Sequence, residues 1–408
     1  MFGKFNRIRN PGTIDNTTKR LYLSYLRTGE VLDTTQYTGQ FIVNKKNEPG
    51  KMNFKLKLEM KIIVLLVFVI FAGFNSDAQQ IKSGKRYLNS YKIYEDAKCP
   101  VEKDEIKNFV YFARDREAIH NHPFLKNSRF EGAQIMYPWK QLEPDKDHYD
   151  FSIIYEDYNY LKSKGKKLFI QLQDATFNPK YKGIPDYLET DEYDGGAISQ
   201  LSENGEVEGW VARRWNKNVR ERFAGLLMAL GQAFDGKIEG INFQETAIGV
   251  SKKYDKSFSP AIYVESLKAN MLALKKAFPK SVTMQYANFM PGEWLPVDDK
   301  GYLKSVYQYG EEIGVGLGAP DLMVRRKGQL NHALAMMHEN DYSVPIGIAV
   351  QDGNYIGQTG TTEIVNERKN IVPLLYAFAK DFLKVDYIFW ANQQPYFEQD
   401  VLPCFKSE

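Results

Sequence analysis

Two stretches decide the fold, "KKLFIQLQD" at residues 166–174 and "KIEGINFQE" at residues 237–245. Each is a short apolar run that ends in an amide and a carboxylate, as expected of a buried strand whose last residues reach a polar edge. Between them an amphipathic helix is predicted to begin after Asn216 and to end at Asp235-Gly236. A strand, a helix and a second strand in this order predict two parallel strands. The apolar positions of the helix recur three and four residues apart: Val219, Phe223, Leu226, Leu227, Leu230 and Phe234.

The same alternation of short apolar runs and amphipathic stretches continues along most of the chain. Eight parallel strands in a single domain of about 330 residues favour a closed (β/α)8 TIM barrel of the α/β class over an open doubly wound sheet. No G-x-G-x-x-G motif follows the first strand, which argues against a dinucleotide-binding fold. A second helix is predicted to begin near Thr362, with Glu363 in its first turn and Ile371, Leu374, Leu375, Phe378 and Phe382 on one face. The predicted strands are 107–115, 130–139, 166–174, 237–245, 281–289, 314–322, 343–352 and 386–393.

The sixth predicted strand carries three alternating glycines, Gly314, Gly316 and Gly318. Alternate residues of a strand share one face, so we expect these glycines to permit close packing against a neighbour. A phosphate-binding loop is the weaker interpretation of this pattern.

Residues 52–78 have the features of a secretory signal peptide. Lysines precede an apolar stretch at residues 62–74, and small residues stand before Gln79. The apolar stretch of about 13 residues is shorter than the roughly 20 that span a bilayer, so no stable membrane anchor is expected. We predict cleavage near Ala78 and a secreted or periplasmic protein. Residues 1–51 show no helical or strand periodicity and are predicted to be a disordered extension upstream of the true start, which leaves residues 79–408 as the barrel domain.

The positive charge of the chain lies in this N-terminal part. Residues 1–78 carry 12 Lys and Arg against 6 Asp and Glu, which gives this part a net charge of +6. The whole chain has a net charge of +3, so residues 79–408 carry about −3. In that region basic and acidic residues are interspersed, which argues against nucleic-acid binding.

The two cysteines, Cys99 and Cys404, lie near the two ends of the predicted domain. Closure of a barrel brings its first and last strands together, and an exported protein can oxidise a pair of thiols. We therefore predict a disulfide between them, with two free buried thiols as the alternative.

Polar residues gather at the C-terminal ends of the predicted strands, where the active sites of such barrels lie. Most are amides and aromatic residues. Amides bind hydroxyl groups and aromatic faces stack on sugar rings, so the set favours a carbohydrate ligand over a phosphate or a metal. Each of these residues could instead fill the barrel interior as a satisfied polar group. The predicted substrate contacts are Tyr137, Trp139, Gln171, Gln173, Asp174, Asn242, Gln244, Tyr286, Asn288, Trp294, Gln351 and Trp390.

Hydrolysis of a glycoside needs two carboxyl groups, one on each side of the scissile bond. Glu245 ends the fourth predicted strand and Asp352 ends the seventh, and we predict that these two are catalytic. Alternatively, Glu245 pairs with a basic residue, and Asp352 belongs to an Asp-Gly turn. Glu293 is a reserve carboxylate that could instead cap a loop, whereas Glu143, beside Pro144, is interpreted as structural.

The run "GAQIMYPWKQLEPDKDHYDFSIIYEDYNYLKSKGKKLFIQLQD" at residues 132–174 resembles a known family pattern, W-x-x-L-E-P, then Y-D-F, then G-K-x-L before a strand. This pattern is that of the clan of retaining (β/α)8 glycoside hydrolases that includes cellulases, xylanases and barrel-type β-galactosidases. The resemblance extends over most of residues 107–397, with "NFQETA" and "AVQDG" as its most informative pieces.

The resemblance implies an acid/base glutamate at the end of strand four and a nucleophile at the end of strand seven, where this chain has Glu245 and Asp352. Two positions depart from the pattern. Gln244 stands where the clan has an asparagine, and the nucleophile position holds an aspartate, one methylene shorter than the usual glutamate.

The sequence therefore predicts an exported glycoside hydrolase that cleaves a poly- or oligosaccharide with retention and without a cofactor. Two alternatives stay open, an inverting enzyme on the same carboxylates and a catalytically silent barrel that binds a glycan. His120, His122, His332 and His338 lack the spacing of a zinc site, so no metal is predicted. Trp210, Arg214 and Trp215, in a loop before the fourth strand, either reach the cleft or pack the loop. The sequence leaves the sugar, the linkage and the oligomeric state open.

Overall fold

The computed structural model describes residues 84–202, 204–365 and 371–406, so the predicted signal peptide and the extension before it lie outside the described residues. Eight parallel strands close into a barrel in the order β1-β11-β10-β9-β8-β7-β3-β2, and all eight predicted strands are confirmed. The strands are β1 (Lys107–Tyr111), β2 (Phe130–Pro138), β3 (Lys167–Gln173), β4 (Ala175–Thr176), β5 (Ala197–Leu201), β6 (Val207–Ala212), β7 (Gly240–Phe243), β8 (Val282–Tyr286), β9 (Gly316–Ala319), β10 (Ile346–Val350) and β11 (Tyr387–Ala391).

Helices follow most barrel strands and cover the outside of the barrel. The helix predicted after Asn216 is confirmed as α3, and the Asn216 side chain caps it by accepting hydrogen bonds from the backbone N–H groups of Asn218 and Val219. The helices are α1 (Trp139–Leu142), α2 (Ser152–Ser163), α3 (Lys217–Phe234), α4 (Pro260–Ala277), α5 (Tyr302–Ile313), α6 (Lys327–Asn331), α7 (Ala333–His338), α8 (Ile371–Ala377) and α9 (Leu402–Cys404).

The helix predicted from Thr362 begins later than expected. Residues 361–365 are not helical, and residues 366–370 lie outside the described part of the chain. The described helix starts at Ile371 and continues as a π-helical turn, Phe378–Phe382, so it includes the predicted apolar positions from Ile371 to Phe382. Glu363 therefore lies in the loop after β10.

The barrel interior is filled by layers of side chains from alternate strands, as expected of this fold. The layer at the N-terminal end of the strands is charged: Glu239, directly before β7, contacts Lys107 (2.7 Å), Lys167 (3.0 Å) and the Tyr387 hydroxyl (2.8 Å). Above it lies an aromatic layer of Phe109, Phe169 and Phe389, whose ring centroids are 4.9–5.8 Å apart.

Two of the three alternating glycines serve close packing, as predicted. A Cβ at Gly316 would stand 2.7 Å from the Pro345 carbonyl oxygen, and one at Gly318 would stand 2.5 Å from that of Gly347. Gly314 differs, since it lies before β9 with a φ of +74° and ends α5 in the left-handed conformation that favours glycine.

A small antiparallel sheet with the strand order β4-β6-β5 follows β3. Its β5 strand joins the loop after β7: Leu201 N–H donates to the Gly249 carbonyl (2.8 Å), and Gly249 N–H donates to the Gln200 side chain (2.9 Å). The sheet thus links two loops at the C-terminal end of the barrel.

The chain ends of the domain are joined by the predicted disulfide, which is confirmed between Cys99 and Cys404 with their Cα atoms 4.6 Å apart. The neighbouring Val101 N–H donates to the Cys404 carbonyl oxygen (3.0 Å). Both contacts follow from barrel closure, because β1 pairs directly with β11. Within the described residues, no helix combines the length and apolarity needed to cross a membrane.

Candidate active site

Glu245 lies two residues beyond the end of β7, at the C-terminal mouth of the barrel, with its side chain partly exposed. Its Oε2 accepts a hydrogen bond from Asn288 Nδ2 (2.6 Å), which follows β8. Asn288 is itself held, because its Oδ1 accepts from the backbone N–H groups of Ala247 (3.2 Å) and Phe289 (2.9 Å). The carboxyl group therefore has a fixed orientation toward the mouth.

The pKa of Glu245 is raised to about 8, first by burial and then by the negative charge of Asp321, against the opposing hydrogen bond from Asn288 and the charge of Arg214. A carboxyl group with this pKa carries its proton at neutral pH. Such a group can donate a proton to a leaving oxygen, which is the role of a general acid.

Asp321 is a site residue that the sequence analysis missed. It lies two residues past β9, and only 6% of it is exposed. Its Oδ1 accepts from Asn354 Nδ2 (2.9 Å) and Thr359 Oγ1 (2.9 Å), and among the described residues it has no basic partner. Burial raises its pKa against these hydrogen bonds. The signal was present, since Asp321 is the carboxylate at the end of the sixth predicted strand.

Asp352 lies two residues past β10 and is exposed. Among the described residues its carboxyl group makes no hydrogen bond or ion pair, while its backbone oxygen accepts from Gly360 N–H (2.9 Å). The surrounding protein still removes part of the water from the carboxyl group, and this desolvation raises the pKa of Asp352. The adjacent Gln351 is partly exposed, and its backbone N–H donates to Asn354 (2.9 Å). The two predicted catalytic carboxyl groups thus differ in their surroundings. Glu245 accepts a hydrogen bond from Asn288, whereas Asp352 is exposed.

Tyr111, the last residue of β1, is influenced by the charges of all three carboxyl groups, those of Glu245, Asp321 and Asp352. Burial raises the pKa of Tyr111, and the negative charges of Asp352, Glu245 and Asp321 raise it further. Its hydroxyl donates to Gln171 Oε1 (3.1 Å). Tyr111 is therefore a neutral hydrogen-bond donor at the C-terminal end of β1. Tyr111 is not among the site residues predicted from the sequence, because it lies within the apolar run of the first predicted strand.

Several predicted substrate contacts fill the barrel interior instead. Gln134 Nε2 donates to Asn242 Oδ1 (2.9 Å) and to the Tyr286 hydroxyl (3.2 Å), and all three side chains are buried. Gln171 lies in the same layer, bonded to Tyr111. These residues take the alternative role of satisfied polar groups, so the structure supports Asn242 and Tyr286 as a platform beneath the site and not as sugar contacts.

Three aromatic residues predicted to contact the substrate are buried in this structure, Tyr137, Trp139 and Trp390. Tyr137 in β2 and Trp390 in β11 alternate with residues whose side chains point into the barrel, so their own side chains point outward to the helices. Trp139 is the first residue of α1. Each donates its polar hydrogen to a neighbour: Trp139 to Glu143 (2.8 Å), Trp390 to Asn108 (2.9 Å) and Tyr137 to Asp157 (2.7 Å). Glu143 is thus structural, as predicted.

Asp174 and Arg214 form a buried, two-pronged ion pair, with Nη2 to Oδ1 at 2.6 Å and Nε to Oδ2 at 2.7 Å. Arg214 also donates to the backbone oxygen of Glu245 (3.3 Å) and to the Tyr263 hydroxyl (2.7 Å). Arg214 therefore packs the loop that carries Glu245, and Asp174 is a support for this arginine, not a sugar contact.

The amide that contacts Glu245 comes from Asn288 and not from the adjacent Gln244. Gln244 is buried, and its Oε1 accepts from the backbone N–H of Ala175 (3.0 Å), so Asn288 supplies the amide beside Glu245. Gln173 is buried at the end of β3, and its Oε1 has no hydrogen-bond partner among the described residues. Of the loop tryptophans, Trp215 is buried against Phe258, and Trp210 is partly exposed.

Trp294 remains available to a ligand in the loop after β8. It is 54% exposed, and its ring stacks on Phe289 with centroids 5.7 Å apart. The neighbouring Glu293 accepts hydrogen bonds from three backbone N–H groups at the start of α5, those of Lys300, Tyr302 and Leu303. Glu293 therefore acts as a cap and not as a reserve catalytic group.

The histidines are engaged in local contacts. His122 Nε2 lies 3.0 Å from Asn392 Oδ1, and His332 Nε2 accepts from Leu295 N–H (3.0 Å). Across residues 84–202, 204–365 and 371–406, no cluster of three or more His, Cys, Asp or Glu side chains could hold a metal ion.

The sequence matches no protein-family model and no curated protein. Among solved structures, the chain is similar to a family 39 glycoside hydrolase from Bacteroides cellulosilyticus WH2 at 11% identity and a TM-score of 0.42, covering 70% of this chain and 56% of that one. It is similar to endo-glycoceramidase II from Rhodococcus sp. at 10% identity and a TM-score of 0.45, covering 72% and 75%. It is also similar to a GH10 endoxylanase from a sugarcane soil metagenome at 10% identity and a TM-score of 0.44, covering 74% and 91%. The assignment of the fold rests on the barrel's own strand order.

Proposed function

We propose that this protein is a glycoside hydrolase that cleaves a poly- or oligosaccharide at the C-terminal mouth of its barrel. One observation carries the proposal: Glu245 is a fixed, partly exposed carboxyl group at a strand end, with a pKa raised to about 8. A protonated carboxyl group in a mouth lined by further carboxyl groups suits cleavage of an acetal, which needs a proton at the leaving oxygen and a second carboxylate at the sugar.

In the proposed mechanism, Glu245 donates its proton to the glycosidic oxygen as the bond to the anomeric carbon breaks. Asp352 attacks that carbon from the opposite face and forms a glycosyl-enzyme ester. Glu245, now ionised, removes a proton from water, which hydrolyses the ester with net retention. Asp321 keeps Glu245 protonated before the first step, because its charge disfavours ionisation of its neighbour.

We propose that Trp294 stacks on a sugar ring, and that Asn288, Gln173 and Gln351 lie near enough to the mouth to bind hydroxyl groups. The exposed ring of Trp294 and the unpartnered Oε1 of Gln173 support this assignment. The proposed nucleophile is exposed, so an inverting reaction through a water held by Asp352 is the principal rival.

We further propose that the protein is exported and that cleavage near Ala78 produces the mature chain. The disulfide between Cys99 and Cys404 supports an oxidising compartment. Mass spectrometry of the protein from the periplasm or the medium tests this: an N-terminus at Gln79 is expected, and recovery of uncleaved chain from the cytoplasm would contradict it.

The experiment that tests the enzymatic proposal combines a screen of oligosaccharides with NMR of the first anomer released. Retention is expected, while Glu245→Gln and Asp352→Asn should each abolish sugar release and leave binding intact. Inversion would overturn the attacking role of Asp352. If the parent protein binds the sugar and never cleaves it, and Asp352→Asn binds the sugar equally well, the glycan-binding barrel is favoured. Glu239→Gln, at the other end of β7, is the matched control.

A further inference from the structure

We propose that Arg114, stacked on Tyr181 at the rim of the barrel mouth, binds an anionic group of the substrate, so that the glycan is acidic. The anionic group is a carboxylate of a uronic acid or a sulfate ester. This inference rests on the proposed function in one respect, that the ligand is a glycan.

Arg114 lies three residues beyond Tyr111, the end of β1. Between them Ala113 has a φ of +48°, a left-handed conformation that costs an L-residue free energy and clusters at functional sites. The Ala113 carbonyl oxygen accepts a hydrogen bond from Met136 N–H of β2 (2.8 Å), which holds this turn. The backbone thus leaves the barrel at a fixed angle where Arg114 begins.

The guanidinium group is held by an aromatic face. Its Cζ lies 3.9 Å from the centroid of the Tyr181 ring. The carbonyl oxygen of Tyr181 accepts from Thr176 Oγ1 (2.8 Å), so this loop residue is itself fixed. A guanidinium stacked by its face keeps its N–H donors in its own plane available, in the fork that fits a carboxylate or a sulfate.

Tyr181 is close to the proposed substrate contacts. Its Cε1 and the Oε1 of Gln173 both lie 3.5 Å from the position that a Cβ at Gly183 would occupy. Arg114 also acts on the site electrically, since its positive charge lowers the pKa of Tyr111 against burial and the charges of the three carboxyl groups. Arg114 therefore belongs to the side of the mouth formed by β1 and β3.

Other arginines near the mouth are paired. Arg116 binds Asp157, and the Arg213, Arg214 and Arg222 side chains bind Asp255, Asp174 and Glu143 respectively. Arg114 is exposed, and among the described residues it makes no hydrogen bond or ion pair. An unpaired, oriented cation beside a group of carboxyl groups compensates the repulsion that an anionic sugar would meet there.

The test compares matched oligosaccharides that differ at C6 of one ring, as the neutral hexose, the uronic acid and the 6-sulfate. Arg114→Met should lower kcat/KM about 10- to 100-fold for the anionic forms and less than threefold for the neutral form. Arg114→Lys should recover part of the loss. A carboxylate is indicated if only the uronic acid responds, and a sulfate if only the 6-sulfate responds. The control is Lys164→Met, because Lys164 also lies over a tyrosine ring, that of Tyr160, but at the turn before β3 at the opposite end of the barrel.

Calorimetric binding of the same three oligosaccharides separates failure of this inference from failure of the proposed function. If no glycan is cleaved but Arg114→Met still weakens binding of the anionic forms alone, the inference stands and the enzymatic proposal fails. If the neutral form is cleaved or bound as well as the anionic forms, and Arg114→Met affects all three equally or none, the inference is wrong.

Discussion

Glu239 and Glu245 flank the same strand, β7, and have opposite environments. Burial alone would raise the pKa of Glu239, but its bonds with Lys107, Lys167 and Tyr387 outweigh it and lower the pKa below the ordinary value. At the other end, burial and the charge of Asp321 raise the pKa of Glu245 to about 8. Glu239, at the N-terminal end of β7, has two basic partners. Glu245, at the C-terminal end, has the amide of Asn288 and the nearby acid Asp321.

The difference separates a carboxyl group that stabilises the fold from one that is suited to chemistry. A paired carboxylate lowers the free energy of the folded state, while a carboxyl group kept protonated in a polar mouth is a potential proton donor that costs stability. The division agrees with the general rule that such barrels carry stability at the N-terminal end and activity at the C-terminal end.

The largest expected effect tests the role of Glu245 as the general acid. Glu245→Gln should lower kcat by about 10³-fold for oligosaccharides, whose leaving group needs a proton, and far less for aryl glycosides with acidic phenols. Glu239→Gln should leave both rates unchanged per folded molecule. Steady-state kinetics on the two substrate classes measures this. An equal loss on both classes in Glu245→Gln would contradict the role of proton donor.

The second effect is on stability, with opposite pH dependence for the two glutamates. Glu239→Gln should cost about 2 kcal/mol of unfolding free energy, since it removes charged hydrogen bonds. Because the pKa of Glu239 is lowered on folding, this loss should be complete above about pH 5 and should shrink as the pH falls below about 4.

Glu245→Gln should instead stabilise the protein as the pH rises from 4.5, the ordinary value, to about 8, where the folded carboxyl group also ionises. Below pH 4.5 both states are protonated and no difference is expected. Denaturant unfolding of both variants at pH 4, 6 and 9 checks the two signs. Parallel pH profiles for the two variants would show that the glutamates do not differ as described.

A third, smaller effect sharpens the comparison through Asp321. Asp321→Asn removes a negative charge and keeps the size of the side chain, so the pKa of Glu245 should fall. Activity requires the protonated form, and kcat/KM should therefore drop about three- to tenfold near pH 8 while it stays unchanged near pH 5. Loss of activity at all pH values would instead assign Asp321 a direct chemical role. The pH profile of the variant decides between them.

The smallest effect concerns substrate stacking at the upper end. Trp294→Ala should raise KM about fivefold with little change in kcat, because one aromatic contact is worth about 0.5–1.5 kcal/mol. Trp390→Phe provides a contrast, since Trp390 is buried and hydrogen-bonded to Asn108, so this variant should lower the melting temperature and leave KM unchanged. A kcat effect in Trp294→Ala would place the ring closer to the reacting bond.

Much of the architecture followed from sequence patterns. The eight strands, the capped helix after Asn216 and the pairing of Cys99 with Cys404 were all predicted correctly. The substrate contacts were predicted less well, because the strand-end rule identifies a polar residue near the mouth without saying which way its side chain points. Tyr137 and Trp390 satisfy the rule and face the helices, whereas Asp321 also satisfies it, at the end of the sixth predicted strand, and contributes to the site.

The sequence alone determined the alternation of strands and helices and the position of Glu245 at a strand end, because both depend on periodicity between neighbouring residues. Tertiary structure decided the chemistry of that carboxyl group. Its amide partner, Asn288, is 43 residues away in the chain, and the charge of Asp321 comes from β9, two strands beyond β7 in the barrel. Burial and partner charge set a pKa, and both depend on residues that only the closed barrel brings together.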